Sequence, residues 1–182
     1  MELPLCVEFN YDDSAKAYDE WGANCGPNAI AAICGLTLEQ LRPHLGDFES
    51  KKYTNPTLMW SVLHSIGARH YLNRPAQFPK YGLARIQWHG PWMKDGVPIS
   101  ARYRQTHWVG SCILADGRTG IYDVNCMNNG IGWVALEDWE RVTVPAIVAN
   151  TPRADGKWSV THGVEIIELT RDGKRIPTRP AR

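Results

Sequence analysis

Two of the five cysteines lie in one apolar segment, "WGANCGPNAIAAICG", and their surroundings differ. Cys25 precedes Gly26 and Pro27 and therefore lies at the start of the helix that the segment predicts. The unpaired N–H groups and the positive dipole end at a helix N-terminus favour an anion such as a thiolate. Cys34 lies at the opposite end of this helix, among alanines and isoleucines. We therefore expect Cys25 to be the reactive thiol and Cys34 to be inert.

A nucleophilic cysteine normally needs a histidine base that a third polar group orients. His107 has a setting that suits this role, because it opens an apolar strand whose hairpin partner returns with "YDVN". That partner places Asp123 and Asn125 on one face, so the strand pair can hold an imidazole beside a carboxylate or an amide. The residues leave a second interpretation open, in which His107 is an ordinary edge histidine and Asp123 lies near a turn.

The other five histidines are expected to be structural or exposed. They fall on predicted helices, near strand ends or in the last predicted strand: His44, His64, His70, His89 and His162. Both His107 and His162 follow a threonine. The sequence favours His107 as the base because an apolar strand, a hairpin and an acidic residue follow it.

The elements that must position these residues are helices first and strands second. Gly35 ends the Cys25 helix, and Thr37 and Gln40 have the spacing of a capping box that starts a short helix. The segment "NPTLMWSVLHSIG" predicts a further amphipathic helix. From residue 68 onward the runs "ARHYL", "LARIQW", "THWVGSCIL", "GIYDVN" and "SVTHGVEIIEL" predict strands. This order predicts an α+β fold in which N-terminal helices, including the Cys25 helix, pack on a mostly antiparallel sheet.

Length and composition indicate a globular chain. Its 182 residues predict a single domain over residues 1–169, followed by a basic, flexible tail over residues 170–182. The formal net charge of +1 gives no broad field that would attract nucleic acid, and we expect no nucleic-acid partner. The sequence offers neither a secretory signal nor a membrane-spanning run, so we expect a cytoplasmic protein without a membrane partner. The five scattered cysteines form no C-x-x-C pair, which favours a reducing compartment over a disulfide framework.

Taken in order, these motifs resemble the papain-like cysteine peptidases, and among them the small bacterial branch related to double-glycine leader peptidases. Members of that family carry "CGP.A" or "CG..A" on the nucleophile helix, then "HW" with alternating apolar residues, then a strand ending in aspartate. This chain has "CGPNAIAA", "THWVGSCIL" and "IYDVN" in that order. The resemblance covers residues 20–126 and implies a papain-like fold.

The resemblance also implies roles for single residues. Cys25 would be the nucleophile, His107 the base and later the acid, and Asp123 the orienting group. Asn125 is the alternative orienting group, since papain uses an asparagine there. The family usually has a glutamine six residues before the cysteine, where it donates to the oxyanion, and this chain has Asp19. An ionised aspartate cannot donate, so Asn24 or another group must replace it, or the oxyanion hole is incomplete.

The implied activity is that of a thiol hydrolase. A Cys-His-Asp triad attacks an amide through a thioester acyl-enzyme, which predicts a peptidase or amidase with a peptide or protein substrate and no cofactor. Two alternatives stay open. Asp19 favours a catalytically inactive papain-like domain that binds a peptide or protein. The same three residue types, Cys25, His107 and Asp123, could also bind zinc, although the local motifs that usually begin such sites are missing.

Three residues adjoin the predicted catalytic segments and are expected to line the substrate cleft: Trp21, Gly26 and Trp108. Core packing is an equal alternative for the two tryptophans. The turn-rich segment "QWHGPWMKDGVP" would suit a loop over the substrate groove, and it could equally be part of the scaffold.

Overall fold

The N-terminal half of the described chain is helical. The computed structural model describes residues 11–129, 132–171 and 174–178. The N-terminal run "LCVEF" at residues 5–9, whose sequence also predicts a strand, lies outside the described residues. Five helices come first: α1 (Tyr11–Trp21), α2 (Cys25–Cys34), α3 (Leu38–Leu41), α4 (Phe48–Lys51) and α5 (Pro56–Ser65). A 3-10 turn, Arg42–His44, joins α3 to the segment before α4.

The sequence signals at the ends of these helices are confirmed, and the structure adds one that was not predicted, the Asn24 cap of α2. Asn24 caps α2 with its side chain, and Gly35 ends the helix in the left-handed conformation at φ 61°. Thr37 and Gln40 form both hydrogen bonds of the capping box that starts α3. Asn55 caps α5, whose first residue is Pro56. The polar run before α2, which the sequence left without an element, forms α1.

The second half of the chain builds one seven-stranded sheet. Its strands are β1 (Arg69–Leu72), β2 (Tyr81–Trp88), β3 (Thr106–Ile113), β4 (Thr119–Tyr122), β5 (Trp133–Ala135), β6 (Trp158–Arg171) and β7 (Lys174–Pro177). The spatial order is β1-β6-β2-β3-β4-β5, with β7 beside β6. Neighbouring strands pair antiparallel. The predicted α+β class, with helices first and an antiparallel sheet second, is confirmed.

The C-terminal residues differ from the predicted flexible tail. β6 runs through Arg171, and Lys174–Pro177 pair with its last residues as β7. Thr178 adds two contacts to β6, because its backbone N–H and its hydroxyl donate to the carbonyls of Ile167 and Ile166. Backbone pairing therefore holds the described part of this segment on the sheet.

Helices cover both faces of the sheet. On one face, α2 and its neighbours pack against Leu83, Trp108 and Val164. On the other face, a second apolar cluster surrounds Trp139 and Val144. This second layer consists of α7 (Leu136–Asp138), a π-helical turn at Trp139–Thr143 and α8 (Val144–Ala149). The sequence analysis assigned no element there, because a short segment interrupted by proline has no clear helical period.

Three short elements complete the described chain: a 3-10 turn at Pro91–Met93, α6 (Ile99–Arg102) and a 3-10 helix at Val124–Asn129. Within the described ranges, no helix combines the length and the apolar character needed to cross a membrane.

The capping box gives a direct test of local stability. Thr37→Ala removes the hydroxyl that accepts from the Gln40 N–H at 3.1 Å, and we expect a loss of about 0.5–2 kcal/mol in the free energy of unfolding. Urea denaturation measures this loss. Thr37→Ser is the matched control, because it keeps the hydroxyl. Equal losses in the two variants would mean that the cap does not stabilise the protein.

Candidate active site

The nucleophile candidate, Cys25, is the first residue of α2, and the capped N-terminus fixes its position. The Asn24 side chain accepts from the Gly26 N–H at 3.3 Å. The N–H of Cys25 has no acceptor within its own helix at this position, so the site offers a free backbone donor and the positive dipole end. The thiol is half-buried and faces a cavity.

The segment of residues 52–54 crosses this helix terminus and holds it from outside. The Asn24 side-chain amide donates to the Lys52 carbonyl at 2.8 Å, and the Lys52 ammonium donates to the Trp21 carbonyl at 2.6 Å. Thr54 packs so closely on Gly26 that a Cβ there would overlap the threonine side chain. Gly26 is therefore required by close approach and does not serve as an open cleft surface.

His107 and Asp123 complete a row of three side chains that begins at Cys25. His107 Nε2 lies 2.9 Å from Asp123 Oδ2, and the imidazole hydrogen-bonds the Cys25 thiol. Because Nε2 faces the carboxylate, Nδ1 is the ring nitrogen available to the thiol. Nε2 meets no acceptor along its N–H direction, so its contact with Asp123 is an electrostatic one at short range more than a linear hydrogen bond.

The Asp123 carboxylate is fully buried and well satisfied. Its Oδ1 accepts from the backbone N–H and the side-chain amide of Asn125, at 2.8 and 2.9 Å. Its Oδ2 also accepts from the indole N–H of Trp139 at 2.8 Å. The prediction that Asn125 shares a strand face with Asp123 is wrong, because β4 ends at Tyr122 and Asn125 lies in the following 3-10 helix. In this arrangement Asn125 binds Asp123 and does not compete with it for the imidazole.

Aromatic rings enclose the histidine. His107 lies opposite Ile86 in the β2–β3 pair, so its side chain shares a face with Trp88. The Trp88 and His107 rings stack with centroids 6.2 Å apart, and Trp139 stacks on Trp88 at 6.3 Å. These rings exclude water from the Asp123 and His107 pair, which strengthens its electrostatic attraction.

The charges of the row stabilise one another. Burial would raise the pKa of the Cys25 thiol, but the His107 charge, its hydrogen bond and the Trp108 backbone N–H lower that pKa overall. Burial would lower the pKa of His107, but the Asp123 carboxylate and the Cys25 thiolate raise it well above its ordinary value. Burial also opposes ionisation of Asp123, and His107 lowers that pKa overall. These shifts favour the thiolate and the imidazolium beside the ionised carboxylate.

A cavity of about 820 Å³ opens beside Cys25. The α2 terminus and residues 52–56 form one wall, and residues 100–104 contribute to the opposite side. The sheet contributes Arg85, Trp108 and His162, which lie opposite one another on adjacent strands and so share a face. The cavity is large enough for a short peptide or a comparable small molecule.

The structure separates the other predicted site residues. Trp108 lines the cavity, and its indole N–H donates to the Thr54 carbonyl at 2.7 Å. The prediction that Trp21 lines the cleft is corrected, because its ring is buried against Phe48 at a centroid distance of 6.0 Å. Asp19 is exposed on α1 and is not among the residues that line the cavity. Asn24 lines it, with its amide engaged as described above.

The segment of residues 87–98 belongs to the scaffold. Trp92 packs on the second apolar cluster, and its indole N–H donates to the Trp88 carbonyl at 2.8 Å. The adjoining residues Ser100, Tyr103 and Arg104 line the cavity instead.

Sequence reasoning missed three residues of the site. Among the described residues, the buried Thr54 hydroxyl has no hydrogen-bond partner, and neither has the buried Nε of Arg85. Both line the cavity. Trp139 lies in the helical layer that covers the same face as Asp123 and His107, and it donates to the carboxylate. An arginine in the middle of the apolar run "LARIQW" was the one available signal, since a strand with two covered faces seldom carries a charge.

The three side chains of the row do not converge on one point. His107 contacts Asp123 through one ring nitrogen and faces Cys25 with the other. Among the described residues, no group of three or more His, Cys, Asp or Glu side chains could hold a metal ion. The geometry is that of a thiol, a base and an orienting carboxylate in series.

Neither the protein-family models nor the curated proteins compared with this chain give a match. Its function is therefore inferred from the site itself.

Asp123→Asn should narrow the pH range of the Cys25–His107 ion pair. The carboxylate raises the pKa of His107, so a neutral amide lowers this pKa and moves the alkaline limit of the range to lower pH. The measurement is the rate of Cys25 alkylation by iodoacetamide as a function of pH. A second step in this profile marks the pH at which the imidazolium loses its proton, and this pH is the alkaline limit.

Asn125→Ala is the matched control for this experiment. It removes one donor to the carboxylate but keeps the backbone donor and all three charges, so the alkaline step should stay nearly unchanged. If the step moved in Asn125→Ala and stayed in place in Asp123→Asn, the orienting roles of the two residues would have to be exchanged.

Proposed function

We propose that this chain is a cysteine-dependent acyl-transfer hydrolase, a peptidase or amidase with a papain-like fold. The observation that carries the proposal is the row in which a half-buried thiol faces His107, whose Nε2 lies 2.9 Å from the buried Asp123 carboxylate. A thiol ionised by a histidine that a carboxylate orients is the arrangement that thiol acyl transfer requires. The cavity beside the thiol supplies room for a peptide.

Acylation begins from the ion pair. The Cys25 thiolate attacks the carbonyl carbon of an amide, so that a C–S bond forms and the carbonyl oxygen becomes an oxyanion. The His107 imidazolium then gives its proton to the leaving nitrogen. The C–N bond breaks, the amine departs, and the acyl group stays on Cys25 as a thioester.

Deacylation reverses the role of the histidine. The neutral imidazole takes a proton from water, and the resulting hydroxide attacks the thioester carbonyl. A C–O bond forms, the C–S bond breaks, and the carboxylic acid leaves. The thiolate and imidazolium are restored, and the Asp123 carboxylate keeps the ring orientation throughout. His107 carries both protons that move: it gives one to the leaving amine and takes the other from water.

The oxyanion hole requires donors at the α2 terminus. The Cys25 N–H is the first donor, supported by the helix dipole. We assign the second donor to the Thr54 hydroxyl, which is buried, unpartnered and packed on Gly26 beside the same cavity. A buried hydroxyl without a partner costs free energy in the resting protein, and a bound oxyanion would remove that cost.

The position of Asp19 favours the competing function, a papain-like domain that binds peptides without cleaving them. Position 19 holds an exposed aspartate, so the glutamine donor that the family usually has there is absent. The two functions differ in the reactivity of the thiol. A working site should be alkylated at Cys25 far faster than at Cys34, Cys112 or Cys126, which are buried, and an inactive one should show no such preference.

The redox state of the cysteines bears on the cellular compartment in which the protein acts. The four cysteines of the described residues form no disulfide bond with one another, and Cys25 must stay reduced to act. We infer a reducing compartment such as the cytoplasm as the place of action.

Cys25→Ala and His107→Ala should each abolish acylation by p-nitrophenyl acetate, with losses of at least about 10³-fold because triad members act as a unit. The release of p-nitrophenol measures acylation, and mass mapping locates the acetyl group on Cys25. Thermal unfolding shows whether each variant is folded.

His162→Ala tests the choice of base, since His162 also lines the cavity. It leaves the row of three residues intact and should retain acylation. Abolition of acylation by His162→Ala, together with its retention in His107→Ala, would contradict the assigned base.

Thr54→Val should lower the acylation rate constant by about 10²-fold, because it removes one oxyanion donor and keeps the shape of the side chain. Alkylation of Cys25 by iodoacetamide forms no oxyanion and should keep its rate. Thr54→Ser retains the hydroxyl and should behave like the unmodified protein. If Thr54→Val slowed alkylation as much as acylation, the threonine would position the thiol and would not bind the oxyanion.

A further inference from the structure

Positive charge is concentrated in the cavity beside Cys25. Its lining includes the cationic side chains of Lys52, Arg85 and Arg104, and none of the described residues that line it is aspartate or glutamate. The whole chain has a formal net charge of +1, so this concentration is local. A cleft lined by one sign of charge focuses its field and attracts a ligand of the opposite sign.

Arg85 is the unusual member of this set, because its side chain is buried. The residue is 6% exposed, lies within β2 and has no carboxylate partner among the described residues. Its Nη2 donates to neutral oxygens, the Thr106 hydroxyl at 3.2 Å and the Tyr103 carbonyl at 3.5 Å. Its Nε has no acceptor in the described part of the chain.

These contacts do not compensate the buried charge. The centroid of the Tyr103 ring lies 5.7 Å from the guanidinium carbon, a cation–π contact that is weak because the ring is half-exposed. A buried cation normally has an ionised or strongly polar partner, because desolvation of the charge is expensive. Burial accordingly lowers the pKa of Arg85. Tyr103 and Cys25, when ionised, offset part of this lowering, but among the described residues no carboxylate pairs with the guanidinium.

The free edge of this guanidinium has the shape of a carboxylate receptor. Nε and Nη2 form the side of an arginine that binds a carboxylate through two parallel N–H···O bonds. Nε is unpaired, and the longer of the two Nη2 bonds is weak at 3.5 Å. The Lys52 ammonium, in contrast, already donates to the Trp21 carbonyl, so it is not a second fixed cation for a dianion such as phosphate.

We propose that Arg85 binds a carboxylate of the substrate, so that the chain acts on peptides or amides that carry a carboxylate within the Cys25 cavity. This inference rests on the proposed function, whose nucleophile shares the cavity. The carboxylate belongs either to an acidic side chain or to the C-terminus of the substrate. In both cases the ion pair with Arg85 holds the acyl group near the thiolate and selects against neutral substrates.

A pair of small alkylating reagents tests the recognition of an anion without any knowledge of the substrate. The Cys25 thiolate attacks the methylene carbon of iodoacetate or iodoacetamide, a C–S bond forms, and iodide leaves as the C–I bond breaks. The two reagents have similar size, and iodoacetate carries the carboxylate. Both reagents react with the thiolate, so the ratio of their rate constants at Cys25 does not depend on the fraction of the thiol that is ionised.

Arg85→Met removes the charge and keeps the length of the side chain. We expect this variant to lower the iodoacetate to iodoacetamide ratio at least about tenfold, the value for a charge-assisted hydrogen bond of about 1.5 kcal/mol. Arg104→Met is the matched control, since it removes the same charge from an exposed residue of the same cavity. Its ratio should change much less. Arg85→Lys keeps the positive charge but loses the two parallel N–H donors of the guanidinium, and it should give an intermediate ratio.

The unmodified protein provides a measurement that does not depend on the folding of a variant. Glutamate capped at both ends should protect Cys25 from iodoacetamide, and equally capped glutamine should not. Acetyl-alanine with a free carboxylate then reports on a terminal carboxylate. Protection by capped glutamate assigns a side chain, protection by acetyl-alanine assigns a terminus, and either result supports the inference. Protection by inorganic phosphate alone would overturn the assignment of a carboxylate.

The outcomes separate this inference from the proposed function. If Cys25 reacts rapidly and the ratio is the same in Arg85→Met and in the unmodified protein, the carboxylate inference is wrong and the hydrolase proposal stands. If Cys25 reacts no faster than the buried cysteines with either reagent, the hydrolase proposal fails and the inference fails with it.

Discussion

The buried carboxylate of Asp123 is the group on which the rest of the site depends. A charge with no solvent contact is stable only when donors replace its water, and the chain brings three N–H groups and the His107 imidazole to it. These groups come from the 3-10 helix after β4, from β3, and from the helical layer on the face of the sheet that lies away from α2. The carboxylate therefore ties three elements together and holds the imidazole in one orientation.

The nucleophile has a separate support. Cys25 starts a helix whose terminus is held by Asn24 and by residues 52–54, and this contact is independent of the histidine and carboxylate. The row of Cys25, His107 and Asp123 thus forms where two structural units meet: the α2 helix with residues 52–54, and the sheet with the Trp88 and Trp139 rings. A reactive thiol placed in this way needs little reorganisation when a substrate binds.

The sheet also separates two kinds of electrostatic environment. His107 and Asp123 lie on the face that the aromatic layer covers, where each charge has a partner in the chain. Arg85 and His162 lie on the opposite face, along the cavity, where Arg85 lacks a carboxylate among the described residues. Alternation of side chains along β2 and β3 produces this division, because neighbouring residues point to opposite faces. The face with His107 and Asp123 suits the proposed proton transfer, and the face with Arg85 suits the proposed recognition of an anion.

The sequence determined the features that arise from local interactions. The Cys25 helix with its terminal glycine, the capping box at Thr37 and the order of helices before strands follow from patterns within about ten residues of each other. The order of Cys25, His107 and Asp123 also indicated which side chains could meet. Tertiary structure decided the rest, because long-range packing carries no local signature. Trp139, Arg85 and Thr54 join the site only when strands and loops far apart in the chain come together. The turn after Tyr122, and not strand alternation, sets Asn125 behind the carboxylate and leaves Asp123 in contact with the imidazole.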